Sequence, residues 1–166
     1  FLIRNNMSLW SYHFLLDAHP TLGHAAQILK TLGIAKSKPY FSHDAPWGRV
    51  GSFGKPKKAR DIVAALSPFL SPDTLYYAGA KPLIKTIAVV TGKGAPYSQE
   101  TSKIYDSGID MYITGEAHER NREASTESGL HFLAGGHYHT ECFGLRALQN
   151  VVQKKWGIAT SWLDLP

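Results

Sequence analysis

The sequence has one cysteine, no low-complexity stretch and no run of about 18 apolar residues. Cys142 cannot form an intramolecular disulfide, which argues against a small secreted domain and favours a reducing compartment. The lack of a long apolar run argues against a membrane-spanning helix. Residues 1–10 also lack the basic, apolar and small-residue succession of a signal peptide. We therefore expect a soluble cytoplasmic protein.

The 166 residues are 43% hydrophobic, and the apolar side chains are spread along the whole length. This is enough for one hydrophobic core, so we expect one domain over residues 1–166. A sub-boundary is predicted within residues 36–56, where Gly, Pro and Ser accumulate. The chain begins at Phe1 and continues directly into apolar residues, so we expect a fragment that lacks an N-terminal segment.

Positive charge exceeds negative charge, with a formal net charge of +5. The only dense basic cluster comprises Lys55, Lys57, Lys58 and Arg60. Such a cluster can contact a phosphate backbone. It lacks the interleaved aromatic side chains on which single-stranded bases stack. An ordinary solvated surface is the favoured interpretation, and nucleic acid is not the expected partner.

Apolar segments rich in β-branched and aromatic residues alternate with helical patterns, which is typical of a layered α/β fold. The predicted strands are residues 9–14, 75–77, 84–90, 109–113, 130–133 and 158–163. The predicted helices are residues 20–33, 57–66, 98–108, 119–128 and 141–155. The stretch 39–55 is predicted to be a loop or a set of short strands.

The densest polar segment is residues 135–141, which lie between a predicted strand and a predicted helix. Ligands of open α/β sheets bind beyond the carboxyl ends of the strands. His137 and Glu141 are four residues apart, so one helical turn brings an imidazole and a carboxylate to the same face. Such a pair can bind a divalent cation. The alternative is a junction at which the carboxylate only caps the helix.

Three more polar residues also occur at strand ends. Asp17 can bridge two cations with its two oxygens, or it can be a cap before the helix that begins at Pro20. His13 is a metal neighbour or a proton shuttle, or else a half-buried strand residue. Glu116 either points into the same crevice or caps the next helix.

Residues 91–94 and Cys142 are interpreted as structural and not as catalytic or ligand-binding features. Residues 91–94 follow a strand as a phosphate-binding turn does. Pro96 and Tyr97 stand where a dinucleotide motif needs its third glycine, and the Gly-Lys-Ser/Thr of a P-loop is absent. We therefore interpret this segment as a tight turn. Cys142 shows no sign of an activated nucleophile and is interpreted as a small hydrophobic residue.

The ordered motifs resemble one family, the Ngg-interacting-factor-like proteins, whose members are named GTP cyclohydrolase I type 2 homologues. The resemblance covers nearly the whole chain. It rests on residues 12–23, 91–94, 110–116 and 128–141, with 163–166 similar to the family's last strand. It implies a layered α/β/α fold with a mixed sheet and two similar halves, of which the first part is missing here.

The resemblance also implies a dinuclear metal centre in each subunit of a ring-shaped homohexamer. Asp17 would bind or bridge the metals, His137 and Glu141 would complete the site, and His13 would lie close by. The family's paired histidines precede the point at which this chain begins. The remaining three ligands suit zinc, manganese or iron, and we expect them to hold one ion weakly.

Two functions are therefore predicted. The first is a metal-dependent hydrolase of a small nucleotide-like or heterocyclic substrate, in which the ion activates water and His13 or Glu116 shuttles the proton. The second is a non-catalytic scaffold whose metal stabilises the fold or tunes binding to a protein partner. The two differ in whether one coordination position stays open to water.

Overall fold

The computed structural model describes residues 1–42 and 45–165, and a six-stranded mixed sheet lies at its centre. The strands are β1 Ser37–Ser42, β2 Ala45–Lys58, β3 Leu75–Tyr77, β4 Leu83–Val90, β5 Met111–Thr114 and β6 His131–Ala134. Their order across the sheet is β1-β2-β4-β5-β6-β3. The central β4, β5 and β6 are parallel, and the other pairs are antiparallel. The predicted α/β class with a mixed sheet is confirmed.

Helices connect the strands. They are α1 Phe14–Asp17, α2 His24–Thr31, α3 Ala59–Leu66, α4 Ser98–Asp106, α5 Asn121–Ser128, α6 His137–Thr140 and α7 Cys142–Trp156. Two 3-10 turns cover Ile3–Asn5 and Ser67–Phe69. Among the helices of the described residues, none combines the length and apolar character needed to cross a membrane.

The central strands are buried on both faces, as parallel strands covered by helices require. Alternate residues of β4 point to opposite faces: Ile87 and Val89 belong to one apolar cluster, and Ala88 and Val90 to the other. The first cluster includes residues of α2 and α3, and the second includes Ile104 of α4. This produces three layers, with the sheet between two sets of helices.

Two predicted strands are wrong, since residues 9–14 and 158–163 form no strand. Leu9 and Trp10 are 79% and 75% exposed, and Leu163 is 78% exposed. Their apolar patterns are strand-like, but neither segment is paired in the sheet. A strand needs a hydrogen-bonding neighbour, which local composition does not supply.

Within the stretch predicted as a loop or short strands, residues 39–42 belong to β1 and residues 45–55 to β2, while residues 43 and 44 lie outside the described part of the chain. Glycines and prolines lower its strand propensity, but close packing requires two of the glycines, Gly48 and Gly51. A Cβ on Gly48 would lie 2.6 Å from the carbonyl oxygen of Val89. One on Gly51 would lie 2.6 Å from the side chain of Ile34. Contacts with distant residues therefore explain the composition of β2.

A buried histidine at the amino end of β6 leads to the first prediction. His131 is 4% exposed. Its Nε2 lies 2.7 Å from the Lys81 carbonyl oxygen, and its Nδ1 lies 2.7 Å from the Tyr76 hydroxyl. A carbonyl only accepts, so we assign the proton to Nε2, and Tyr76 donates to Nδ1.

Removing this donor is expected to destabilise the fold. Tyr76→Phe leaves a buried acceptor without a partner, so the free energy of unfolding should fall by about 1 to 2 kcal/mol in urea denaturation. Tyr77→Phe is the matched control, because its ring stacks on Phe132 while its hydroxyl makes no hydrogen bond with the described residues. Equal losses in the two variants would contradict the assignment.

Candidate functional site

The carboxyl ends of β4, β5 and β6 lie at one edge of the sheet, and the loops that follow are hydrogen-bonded to each other. The Gly115 amide donates to the Gly92 carbonyl at 3.1 Å. The Gly136 amide donates to the Gly115 carbonyl at 2.9 Å. These bonds extend the parallel pairing beyond the strands. They bring Gly92 next to the loop that carries His137.

His137 lies between two carboxylates. Its Nδ1 is 2.6 Å from Oε1 of Glu116, and its Nε2 is 3.2 Å from Oε1 of Glu141. Glu141 is the residue before α7, but its side chain makes no capping hydrogen bond. Glu116 likewise contacts His137. Both carboxylates thus contact His137, and neither α5 nor α7 has a side-chain capping hydrogen bond.

Asp17 approaches the same place from the end of α1. It is 9% exposed. Burial raises its pKa to about 6, and the negative charge of Glu141 adds to the rise. His13, His137 and a hydrogen bond with Thr91 oppose the rise. Asp17 and Glu141 are therefore neighbouring acids whose mutual repulsion a cation would relieve.

His13 lies at the rim of this site. It precedes α1, is exposed, and stacks on Phe14 with ring centroids 4.1 Å apart. Phe14 in turn contacts Trp47, with centroids 4.5 Å apart. A cleft of about 310 Å³ is lined by His13, Asp17, His137 and Glu141, among others. The structure therefore brings four predicted site residues together in one cleft, and the fifth, Glu116, contacts His137.

The space beside these side chains is kept open by a glycine. Gly92 has a φ of +59°, and a Cβ there would collide with Oε1 of Glu141 and lie 2.9 Å from Nε2 of His137. As the side chains stand within residues 1–42 and 45–165, no three His, Cys, Asp or Glu form a group that could hold a metal ion. The donor types and the space beside Gly92 fit a cation, although the described side chains are too far apart to form a three-ligand group.

The pKa of His137 depends on its carboxylate partners. Burial alone would lower this pKa, but the hydrogen bond with Glu116 and the charges of Glu141 and Glu116 outweigh burial and raise it. Glu116→Gln should therefore lower the pKa of His137, measured by NMR titration of the imidazole ring. Glu119→Gln removes an equal charge at an exposed position and should leave this pKa unchanged. A similar pKa in all three proteins would contradict the role of Glu116.

Sequence reasoning missed His24, a buried neighbour of the site. His24 is 3% exposed, and burial lowers its pKa to about 4. Its Nδ1 accepts a hydrogen bond from the Gly144 amide at 3.0 Å, and its Nε2 lies 3.8 Å from Oδ1 of Asp17. Its place at the start of an amphipathic helix was the only available signal. Its partner lies 120 residues away.

A second cleft, of about 490 Å³, shares no lining residue with the first. Two of its polar side chains are paired with each other, since the Tyr138 hydroxyl donates to Asp164 at 2.6 Å. Cys142 also lines it, and burial raises the pKa of this thiol. A raised pKa disfavours the reactive thiolate. This agrees with the interpretation of Cys142 as a small hydrophobic residue.

The chain is similar to known proteins in both sequence and fold. GTP cyclohydrolase 1 type 2 homologs from Vibrio cholerae and Archaeoglobus fulgidus are 30% and 32% identical to this chain over 166 residues, which is 99% and 100% of its length. The chain spans about 65% of the length of these relatives.

Solved structures share the fold. The protein named ybgI superposes with a TM-score of 0.82 at 29% identity, over 99% of this chain and 64% of that one. TTHA1606 from Thermus thermophilus superposes with a TM-score of 0.81 at 24% identity, over the same fractions. The model of the Duf34/NIF3 (NGG1p interacting factor 3) family matches residues 1–164. The chain therefore belongs to the Duf34/NIF3 family, as the resemblance of its motifs predicted.

Proposed function

We propose that this chain binds a divalent metal ion through Asp17, His137 and Glu141 and uses it to hydrolyse a small nucleotide-like substrate. The observation that carries the proposal is the convergence of these side chains beside the space left by Gly92. Two carboxylates and an imidazole suit zinc, manganese or iron. The second ion and the homohexameric ring implied by the family resemblance stay predictions.

The burial of the Asp17 carboxylate near Glu141 supports the proposal that a cation binds in this cleft. Burial first, and the negative charge of Glu141 second, raise the pKa of Asp17. A bound cation reverses this preference, because it favours the ionised form of every carboxylate around it. A closed site would require the three side chains to move toward each other, or a further ligand.

When bound, the ion would lower the pKa of a coordinated water and polarise the bond to be broken. Glu116 would hold His137 through Nδ1, as carboxylates orient metal-binding histidines. This makes Glu116 a positioning residue rather than a proton shuttle. His13 is exposed at the rim of the cleft and is the better placed group to carry a proton.

The cleft also supports a substrate of this class. Phe14 and Trp47 present aromatic rings on one side, which can stack on a planar heterocycle. Lys93 lines the cleft, is exposed, and can contact an anionic group. The relatives are named GTP cyclohydrolase 1 type 2 homologs, and a nucleotide substrate fits this combination of aromatic rings and positive charge.

Titration with Zn²⁺, followed by the ¹⁵N signals of the histidine rings, tests the proposal on the unsubstituted chain. We expect the signals of His137 to shift with zinc, while those of His131 stay unchanged, because His131 lies at the other end of β6. Unchanged signals at His137 under saturating Zn²⁺ would refute metal binding at this site.

The non-catalytic scaffold is the second candidate, and one observation favours it. An ion at this site would join Asp17 to residues 137–141, so metal binding would stabilise the fold whether or not catalysis occurs. Water relaxation with Mn²⁺ separates the two functions. A rapidly exchanging water on the bound ion supports the hydrolase, whereas a closed coordination shell supports the scaffold.

A further inference from the structure

His24 lies beside Asp17 and contacts the start of α7, the helix that follows Glu141. It is the first residue of α2, and its ring is almost completely buried between α1 and α7. Its Nδ1 accepts from the Gly144 amide at 3.0 Å. Its Nε2 lies 3.8 Å from Oδ1 of Asp17. The proposed function gives His24 no role.

The bond to Gly144 fixes the start of α7. Gly144 is the third residue of that helix, so its amide is one of the donors without a partner inside the helix. Glu141 immediately precedes the helix. Any rotation or shift at the start of α7 therefore moves Glu141 as well. A Cβ on Gly144 would lie 2.8 Å from Nδ1 of His24, so the two residues are in direct contact.

The same ring faces Asp17. Because Nδ1 accepts from an amide, the neutral ring carries its proton on Nε2, which is directed toward the carboxylate. The separation of 3.8 Å between Nε2 and Oδ1 of Asp17 is longer than a hydrogen bond. The ring therefore holds Asp17 at a fixed distance, and its N–H dipole is oriented favourably toward the carboxylate. Gly23 makes this packing tight, since a Cβ there would lie 2.6 Å from the Leu16 carbonyl oxygen.

We propose that His24 is a positioning residue that sets the separation of Asp17 and Glu141. This inference rests on the metal-binding function proposed above. The imidazole supplies an acceptor to α7 and a donor toward Asp17 from one rigid ring. Outer residues that orient metal ligands typically change metal affinity by about 10- to 100-fold when replaced.

Two substitutions separate the halves of this role. His24→Asn keeps an acceptor near the position of Nδ1 but does not reach Asp17. His24→Gln reaches toward Asp17 but loses the acceptor for Gly144. The probe is Co²⁺, whose d–d absorption reports both affinity and coordination geometry. We expect each variant to bind Co²⁺ about tenfold more weakly and to show an altered spectrum.

His131→Asn is the matched control, because His131 is as buried as His24 but lies at the opposite end of the sheet. This variant should lower the melting temperature and leave the Co²⁺ spectrum unchanged. If all three variants weaken Co²⁺ binding equally, general destabilisation explains the effect and the inference is overturned. If both His24 variants bind Co²⁺ as the unsubstituted chain does, His24 does not position the ligands, while the proposed function stands.

A metal-free measurement covers the case in which the His24 variants do not fold. In the unsubstituted chain at neutral pH, ¹⁵N NMR should show His24 with its proton on Nε2 and a hydrogen bond at Nδ1. The opposite tautomer would overturn the inference. If the unsubstituted chain and His131→Asn both fail to bind Co²⁺, the proposed function fails and this inference fails with it.

Discussion

Asp17→Asn is expected to abolish metal binding and, at the same time, to stabilise the metal-free chain at neutral pH. Replacement of an outer residue of a metal site costs about 10- to 100-fold in affinity, so loss of a ligand should cost more than about 100-fold. The gain in stability arises because the substitution removes a negative charge that is buried beside Glu141. Asparagine keeps an oxygen that can accept from Thr91.

The stabilising effect depends on pH in a defined direction. The pKa of Asp17 rises from 3.8 in the unfolded chain to about 6 in the folded one. Above pH 6 both states are ionised, and the folded state carries the full cost of the buried charge. Below pH 3.8 both are protonated, and this cost is absent. Asp17→Asn should therefore raise the free energy of unfolding by about 3 kcal/mol at pH 7.5, since each pKa unit corresponds to about 1.4 kcal/mol, and have little effect at pH 3.5.

Urea denaturation of the metal-free protein at the two pH values measures this effect. Asp73→Asn is the control, because Asp73 is exposed and its carboxylate should change stability by less than about 0.5 kcal/mol at either pH. A loss of stability at pH 7.5 in Asp17→Asn would show that the carboxylate is favourably paired without metal. Retained zinc binding would remove Asp17 from the ligand set.

The second large effect is expected from Gly92→Ala. The added methyl group would collide with Oε1 of Glu141 and lie 2.9 Å from Nε2 of His137. The backbone cannot easily move away, since the Gly92 amide donates to Thr140 at 3.1 Å and its carbonyl accepts from Gly115 and Glu116. The side chains must therefore yield. We expect Zn²⁺ affinity to fall by about 100-fold, because metal ligands tolerate little displacement.

Backbone strain needs a separate control, because Gly92 has a φ of +59°. Gly33 has a φ of +84°, and a Cβ there meets nothing within 4 Å. Gly33→Ala should thus show the strain alone, about 1 kcal/mol of lost stability, with zinc affinity unchanged. Isothermal titration with Zn²⁺ and urea denaturation of both variants give the comparison. Equal zinc affinities in the two variants would place the metal away from Gly92.

The fold could be predicted where local pattern and long-range pairing agree. The apolar runs that become β4, β5 and β6 are buried on both faces, so their composition alone indicates strands. Helix ends were also predictable, since Gly33, Gly108 and Gly129 follow helices with positive φ. The edges of the sheet were not. The exposed segment 9–14 has the apolar pattern of a strand but forms none, whereas the glycines of β2 lower the strand propensity of a segment that does form one.

The candidate site shows the same division. The position of His137 and Glu141 after β6 predicted their place in the crevice, because parallel strands deliver their following loops to one edge. Asp17 reaches the same crevice from α1, although the strand predicted before it does not form. The pairing of Glu116 with Nδ1 of His137 was not specified, since a capping role fitted the sequence equally well. The contact between His24 and Gly144 depends on the docking of α7 against α2, which no local pattern reveals.

The distance along the chain between the two halves of the site has a consequence for folding kinetics. Asp17 precedes the first strand, and His137 and Glu141 follow the last one. The crevice can form only after all parallel crossovers are complete, and contacts of such long sequence separation form slowly. The rate at which a refolding chain acquires zinc should then match the slowest refolding phase. Zinc uptake would thus report when Asp17 and residues 137–141 come together during refolding.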